Sequence, residues 1–119
     1  MSKRDNNSVR LHRRVPINAI CLLRVPDHDA VNEPVVNISM SGMLMRSRLV
    51  LKAGTRCEAV VAFNELGTYH TERLHARVVR ADGYFTALQF VNLLPDQRAY
   101  LRAVLDAHPI DMDLTPAAS

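Results

Sequence analysis

Short runs of alternating apolar and polar residues, separated by turn residues, extend over most of the chain. In the longest run, Leu74, Ala76 and Val78 alternate with mostly polar neighbours. Because side chains two apart on a strand point to the same face, this pattern predicts a strand with one buried face. The chain is therefore predicted to be mainly β. The predicted strands cover residues 15–25, 31–38, 43–47, 55–63, 69–81 and 84–91.

The segments between these runs carry residues typical of tight turns. Asp82-Gly83 is a strong hairpin signal, and residues 64–67 close a second hairpin. Pro34 lies inside the second run, which predicts that this strand lies at a sheet edge or contains a bulge. Strands this short and this evenly spaced favour a closed or nearly closed barrel.

The last part of the chain has helical periodicity instead. Pro95 is typical of a first helical turn, and Leu101, Val104 and Leu105 form an apolar stripe at helical spacing. The helix is expected to end just before Pro109. We expect the stripe to cover one opening of the barrel, and a partner-binding helix is the alternative.

Positive charge is concentrated at the N-terminus. The formal net charge of the 119 residues is +3, but the first 14 residues carry +4 and the remainder −1. Such local basicity indicates a charged arm rather than the wide basic face of a nucleic-acid-binding protein. Residues 1–9 are expected to be a flexible arm, residues 10–108 one domain, and residues 109–119 a frayed tail.

Other classes of site find little support in the sequence. Cys21 and Cys57 lie in apolar runs without metal or redox spacing, so buried free thiols are expected rather than a disulfide. The five histidines lack paired-ligand spacing, so no metal site is expected. Without a nucleophile elbow, a Walker loop or a convincing carboxylate pair, the chain is not expected to be an enzyme. With no signal peptide and no apolar run near the ~20 residues of a membrane span, a cytoplasmic protein without membrane insertion is expected.

Two polar clusters at the ends of apolar runs carry the candidate chemistry. Arg10 and Arg14 have the spacing R-x-x-x-R, and Asn37, Ser39 and Gly42 have the spacing N-x-S-x-x-G. An arginine fork matches phosphate oxygens and the O6/N7 edge of guanine. The Asn37 amide and the Ser39 hydroxyl should point to one face of a strand. These side chains suit an anionic, guanine-like nucleotide, although each cluster taken alone is more often a solvated basic arm or a plain turn.

The placement of these residues in the barrel can also be predicted. Gly42 is expected either to adopt a positive φ or to let a ligand approach closely. Arg10, Arg14 and Ser39 are expected at the margin of the barrel, outside its core. Their replacement by alanine should then change the stability of the free protein little.

Taken together, the two clusters resemble the signature of the PilZ domain family, R-x-x-x-R followed by D/N-x-S-x-x-G. The segments 14–17, 75–80 and 87–91 are similar to the family as well, so the resemblance covers about residues 9 to 107. One departure is visible, since Val9 stands where many members have a second arginine.

The resemblance implies an all-β fold, a six-stranded antiparallel barrel with a C-terminal α-helix, that binds cyclic di-GMP. The ligand-binding residues that it implies are Arg10, Arg14, Asn37, Ser39 and Gly42. Arg13 and Arg80 are two further candidates for the same site, with opposite orientation or simple solvation as the alternative.

The implied function is that of a bacterial, non-enzymatic second-messenger receptor. The ligand would order the N-terminal arginine arm over the barrel face, and a downstream protein that the sequence does not identify would recognise the changed surface. No cofactor besides the ligand is expected. The alternative is a nucleic-acid or protein-interaction module that does not bind cyclic di-GMP. With three Phe, three Tyr and no Trp, the chain offers few aromatic residues on which bases could stack.

Overall fold

Six antiparallel strands close into a barrel in the computed structural model, which describes residues 13–108. The elements are β1 (Val15–Pro16), β2 (Ala19–Arg24), β3 (Val31–Ile38), β4 (Gly42–Arg46), β5 (Val50–Leu51), β6 (Arg56–Glu65), β7 (Thr68–Asp82), β8 (Phe85–Phe90) and α1 (Pro95–Asp106). The barrel order is β3-β2-β6-β7-β8-β4, and β4 pairs with β3 to close it. The two short strands add to this barrel, β1 beside β3 and β5 beside β7. The predicted six-stranded barrel is confirmed.

Alternation along the strands fills the barrel interior. On β7, Leu74, Ala76 and Val78 are buried while the residues between them are exposed, as their spacing predicts. The β6–β7 hairpin turns at Leu66 and Gly67, which both have positive φ, 56° and 77°. Two successive residues with positive φ are typical of a type I′ turn, whose twist matches that of the two strands it connects. Ten consecutive residue pairs, from Arg56–Arg77 to Glu65–Thr68, extend from this turn.

The first predicted strand, residues 15–25, is divided in the structure. β1 pairs only with the end of β3, whereas β2 pairs with both β3 and β6. The break lies at residues 17–18, where the backbone of Asn18 makes hydrogen bonds to the β6–β7 hairpin. Its N–H donates to Glu65 Oε2 at 2.6 Å, and its carbonyl accepts from Asn64 N–H at 2.8 Å. A long-range contact thus ends β1 early.

Both alternatives that Pro34 predicted are present in β3. Pro34 lies opposite Ile20 of β2 and has no paired strand on its other side within residues 13–108, because the pairing with β4 begins at Val35. The register of β3 against β4 shifts between Val35 and Asn37. The shift leaves Val36 as the extra residue, so that Asn37 faces outward beside Leu44 while Ile38 faces the core beside Met43.

Helix α1 packs its apolar stripe against one end of the barrel. Leu101, Val104 and Leu105 are buried, and Tyr100 packs edge-to-face on Phe63 with ring centroids 5.1 Å apart. The stripe therefore covers the barrel, the first of the two predicted arrangements. The helix ends at Asp106, two residues before the expected position.

Several remaining features of residues 13–108 bear on function. Cys21 and Cys57 are buried free thiols, as predicted. Burial raises the pKa of Cys21 to about 12, with a further contribution from Cys57, and burial raises the pKa of Cys57 to about 11.

No helix in this part of the chain is long and apolar enough to cross a bilayer. The same residues contain no group of three His, Cys, Asp or Glu side chains arranged to hold a metal ion.

Candidate functional site

The N-x-S-x-x-G cluster lies at an open depression on the outside of the barrel, with a volume of about 350 Å³. Strands β4, β7 and β8 form its floor, and the turn between β3 and β4 forms one edge. Its lining residues are Arg14, Ser39, Ser41, Gly42, Met43, Val79, Ala87, Leu88 and Gln89. Of these nine described residues, Arg14 is the charged one and none is acidic, so the depression suits an anionic ligand.

Arg14 reaches this depression because of the register of β1. Val15 lies opposite Ile38 and Pro16 opposite Asn37, so Arg14 comes beside Ser39 at the end of the same pairing. Val15 points into the core, and alternation therefore directs Arg14 outward, where it is exposed. The two predicted motifs meet here through Arg14 of the first and Ser39 and Gly42 of the second.

Asn37 does not line the depression itself. It lies opposite Leu44 of β4, whose partner on β8, Ala87, is a lining residue. Only 6% of Asn37 is exposed, and its Oδ1 atom has no hydrogen-bond partner within residues 13–108. Buried acceptors in folded proteins almost always have a donor, and one without a partner costs about 1–3 kcal/mol. The orphaned oxygen is thus a buried acceptor for which residues 13–108 supply no donor.

Ser39 differs from the expectation, since it is buried, with 3% exposed, rather than at the margin of the fold. Its Oγ accepts from the N–H groups of Ser41 and Gly42, both at 3.2 Å, and lies 3.1 Å from Ser41 Oγ. Its backbone N–H donates to the Gly42 carbonyl at 2.8 Å. A short hydroxyl side chain satisfies a tight turn in this way. Ser39 therefore shapes the turn that edges the depression.

Gly42 also differs from one of its two expectations, the positive φ. Its φ is not in the left-handed region, where Gly54, Gly67 and Gly83 lie. The neighbouring strand approaches closely, because a Cβ on Gly42 would lie 2.0 Å from the Leu88 carbonyl oxygen. Glycine here lets β4 and β8 come together under the depression.

The remaining predicted residues lie in different places. Arg10 is outside the described residues. Arg13 turns away from Arg14, and its Nη2 donates to the carbonyl of Leu105 at the end of α1. Arg80 is exposed, with its Nε 3.9 Å from Asp82 Oδ2, and its strand partner Ala87 lines the depression.

Val79, Ala87 and Gln89 line the depression but were missed by sequence reasoning. Val79 is 54% exposed, because alternation from the buried Val78 places it on the outer face of β7. The sequence signal for Val79 was an apolar residue at an outward position among charged neighbours. Ala87 and Gln89 have no such signal in the sequence, because their positions depend on the pairing of β4 with β8.

Two larger depressions, of about 520 and 420 Å³, lie elsewhere on the barrel. Neither is lined by any of the predicted site residues that the structure describes. The smaller depression is the candidate site because an exposed arginine and a glycine-bearing turn line it. The orphaned acceptor of Asn37 lies two residues before Ser39 of that turn.

The family model for the PilZ domain matches residues 8–107. This chain belongs to the PilZ domain family. A search of curated proteins finds no match.

Solved structures of other PilZ proteins share the fold. The Bacillus subtilis inhibitor of motility, MotI/DgrA, superposes with a TM-score of 0.68 at 16% identity, covering 82% of this chain and 50% of that one. YcgR from Escherichia coli in complex with c-di-GMP has a TM-score of 0.64 at 17% identity, covering 82% and 45%. The MrkH–c-di-GMP complex of K. pneumonia has a TM-score of 0.64 at 19% identity, covering 82% and 51%. The PilZ domain described here thus spans about half the length of these proteins.

Proposed function

We propose that this PilZ domain is a receptor for cyclic di-GMP and that the ligand occupies the depression beside Arg14 and Asn37. The orphaned Oδ1 of Asn37 is the observation that carries the proposal. A guanine base presents N–H donors on its Watson–Crick edge, which would satisfy this oxygen. Membership of the family, two of whose structures are complexes with c-di-GMP, supports the same ligand.

Arg14 supplies the complementary charge. Its fork of donors can bind a phosphate or the O6/N7 edge of a guanine with two hydrogen bonds. Val79 gives the same depression an exposed apolar surface against which a flat base can pack. Because Gly42 has no side chain, β4 and β8 lie close together beneath the depression. Each feature matches a different part of an anionic guanine dinucleotide.

In this proposal Arg10 and the arm that carries it close over the bound ligand. Ordering the arm costs about 1–2 kcal/mol per residue, while each charge-assisted hydrogen bond contributes about 1.5–3 kcal/mol. A few arginine contacts can therefore offset the ordering of a short arm. The altered surface is the signal that a downstream protein would recognise, so the domain acts by binding rather than by catalysis. Free buried cysteines are typical of a reducing compartment, which supports a cytoplasmic location.

Calorimetric titration with cyclic di-GMP tests the proposal and gives affinity and stoichiometry together. Saturable binding that persists in excess GTP and excess single-stranded DNA is expected. Competition by single-stranded DNA would indicate a general phosphate-backbone binder instead. Absence of heat at millimolar ligand, in protein with a normal melting curve, would refute the receptor function.

A further inference from the structure

Arg13 connects the segment that carries Arg14 to the far end of the chain. Val15 points into the barrel and Arg14 points outward, so alternation places Arg13 on the inward side. From there its Nη2 donates to the carbonyl oxygen of Leu105, 92 residues away in sequence. The same oxygen accepts from the N–H of His108 at 3.0 Å. Arg13 is thereby bound to the last turn of α1.

The electrostatics of α1 favour this contact. The carbonyl groups at the end of a helix lack intrahelical donors and carry partial negative charge. The last turn of α1 contains no basic residue of its own. The Arg13 guanidinium supplies the cation that the last turn lacks and a second donor to the Leu105 carbonyl.

A second contact holds the same end of the helix. His108 Nε2 lies 2.8 Å from Glu65 Oε1, and the other oxygen of Glu65 accepts from the Asn18 N–H at 2.6 Å. Arg13 and Asn18 flank the segment that contains Arg14 and β1. The chain on both sides of Arg14 is thus tied to the end of α1, once directly and once through Glu65.

We infer that Arg13 is a positioning residue for the ligand site. By binding the end of α1, it fixes the backbone so that Arg14 projects over the depression, and it couples that arginine to the last turn of the helix. The inference rests on the proposed function, since it assigns Arg13 a role in cyclic di-GMP binding without contact to the ligand. Because coupling between two sites is reciprocal, ligand that holds Arg14 in place also stabilises the end of α1.

The experiment compares Arg13→Ala with wild type by calorimetric titration with cyclic di-GMP and by amide hydrogen exchange at Ala107 and His108. Arg102→Ala is the matched control, because Arg102 is exposed on the same helix and makes no ion pair or side-chain hydrogen bond within residues 13–108. Arg13→Ala should bind about tenfold more weakly, as expected for loss of one charge-assisted hydrogen bond that pre-orders a site. Its two amides should exchange faster even without ligand. Arg13→Lys, which keeps a charged donor, should recover most of both properties, and Arg102→Ala should match wild type.

Each possible result decides the matter. Unchanged affinity in Arg13→Ala would overturn the inference. Weaker binding with unchanged exchange at the end of α1 would also overturn it, because Arg13 would then touch the ligand directly. If wild type bound no cyclic di-GMP, the proposed function would fail, whereas the exchange of the free proteins would still report whether Arg13 holds the helix end.

Discussion

Gly42 and Leu88 lie so close across β4 and β8 that a Cβ on Gly42 would be 2.0 Å from the Leu88 carbonyl oxygen. The atom in the way belongs to the backbone, so no side-chain rotation can relieve the contact. A methyl group at residue 42 must push the two strands apart at the floor of the candidate site. The glycine of the second motif is therefore a requirement of the barrel itself.

Gly42→Ala should accordingly destabilise the free protein by about 2–3 kcal/mol, the upper range for an overpacked position, and should weaken ligand binding. Urea unfolding measures the first effect and calorimetry the second. Gly54→Ala is the control, since Gly54 has φ +91° but no atom within 4 Å of an added Cβ. It should lose about 1–2 kcal/mol through backbone strain and bind ligand normally. Wild-type stability in Gly42→Ala would contradict the packing argument.

Ser39→Ala should destabilise the free protein by about 1–2 kcal/mol, because it leaves the N–H groups of Ser41 and Gly42 without their acceptor. Chemical denaturation of the two proteins gives the difference. Ser41→Ala serves as the comparison. Within residues 13–108, the Ser41 hydroxyl makes its side-chain hydrogen bond with the Ser39 hydroxyl and with no other side chain. A loss below about 0.5 kcal/mol in Ser39→Ala, the level typical of surface sites, would show that the turn does not depend on this hydroxyl.

Gly42 and Ser39 show what the sequence can and cannot predict. Strand periods and the helical stripe are local patterns, so the barrel, β3 and α1 were predictable. β5 has two residues, and its pairing with Ala81 and Asp82 on β7 has no local signal. In the site, the two motifs predicted that Arg14 lies near Ser39 and Gly42, and these three residues line one depression. The burial of Ser39 and the reason for Gly42 depend on contacts made by the folded chain, and those contacts could not be predicted.

Arg14→Ala should leave the melting temperature of the free protein unchanged, because Arg14 is exposed and outside the core. It should abolish the stabilisation by ligand, which in wild type is about 2.7 kcal/mol at a hundredfold excess over Kd. Melting curves with and without cyclic di-GMP measure both quantities. Arg14→Lys should be intermediate, since lysine keeps the charge without the two-pronged fork. Arg98→Ala, a charge-matched change on α1, should behave as wild type. A large loss of stability in ligand-free Arg14→Ala would make this arginine structural.

The two thiols should be unreactive in the native protein. Burial raises the pKa of Cys57 to about 11 and that of Cys21 to about 12, and the thiolate is the reactive form. At pH 8 only about one part in a thousand of Cys57 is thiolate, and less of Cys21. Reaction with a chromogenic disulfide should therefore be slow at pH 8, faster as pH rises, and complete in denaturant. Cys57, with 8% exposed against 0% for Cys21, should react first. Rapid native labelling of both would contradict their burial.

Asn37→Leu should separate stability from function most sharply. The Oδ1 atom of Asn37 is buried without a partner, so removing it eliminates a desolvation cost of about 1–3 kcal/mol that the free protein otherwise bears. The variant should be at least as stable as wild type without ligand, and it should lose ligand binding because no acceptor remains for the guanine. Asn37→Asp keeps an acceptor oxygen and should retain binding, but it buries an unpaired carboxylate and should be less stable when free. Chemical denaturation and calorimetry on the three proteins test this order. If Asn37→Leu binds cyclic di-GMP as wild type does, the orphaned oxygen does not face the ligand, and the main support for the proposed site is lost.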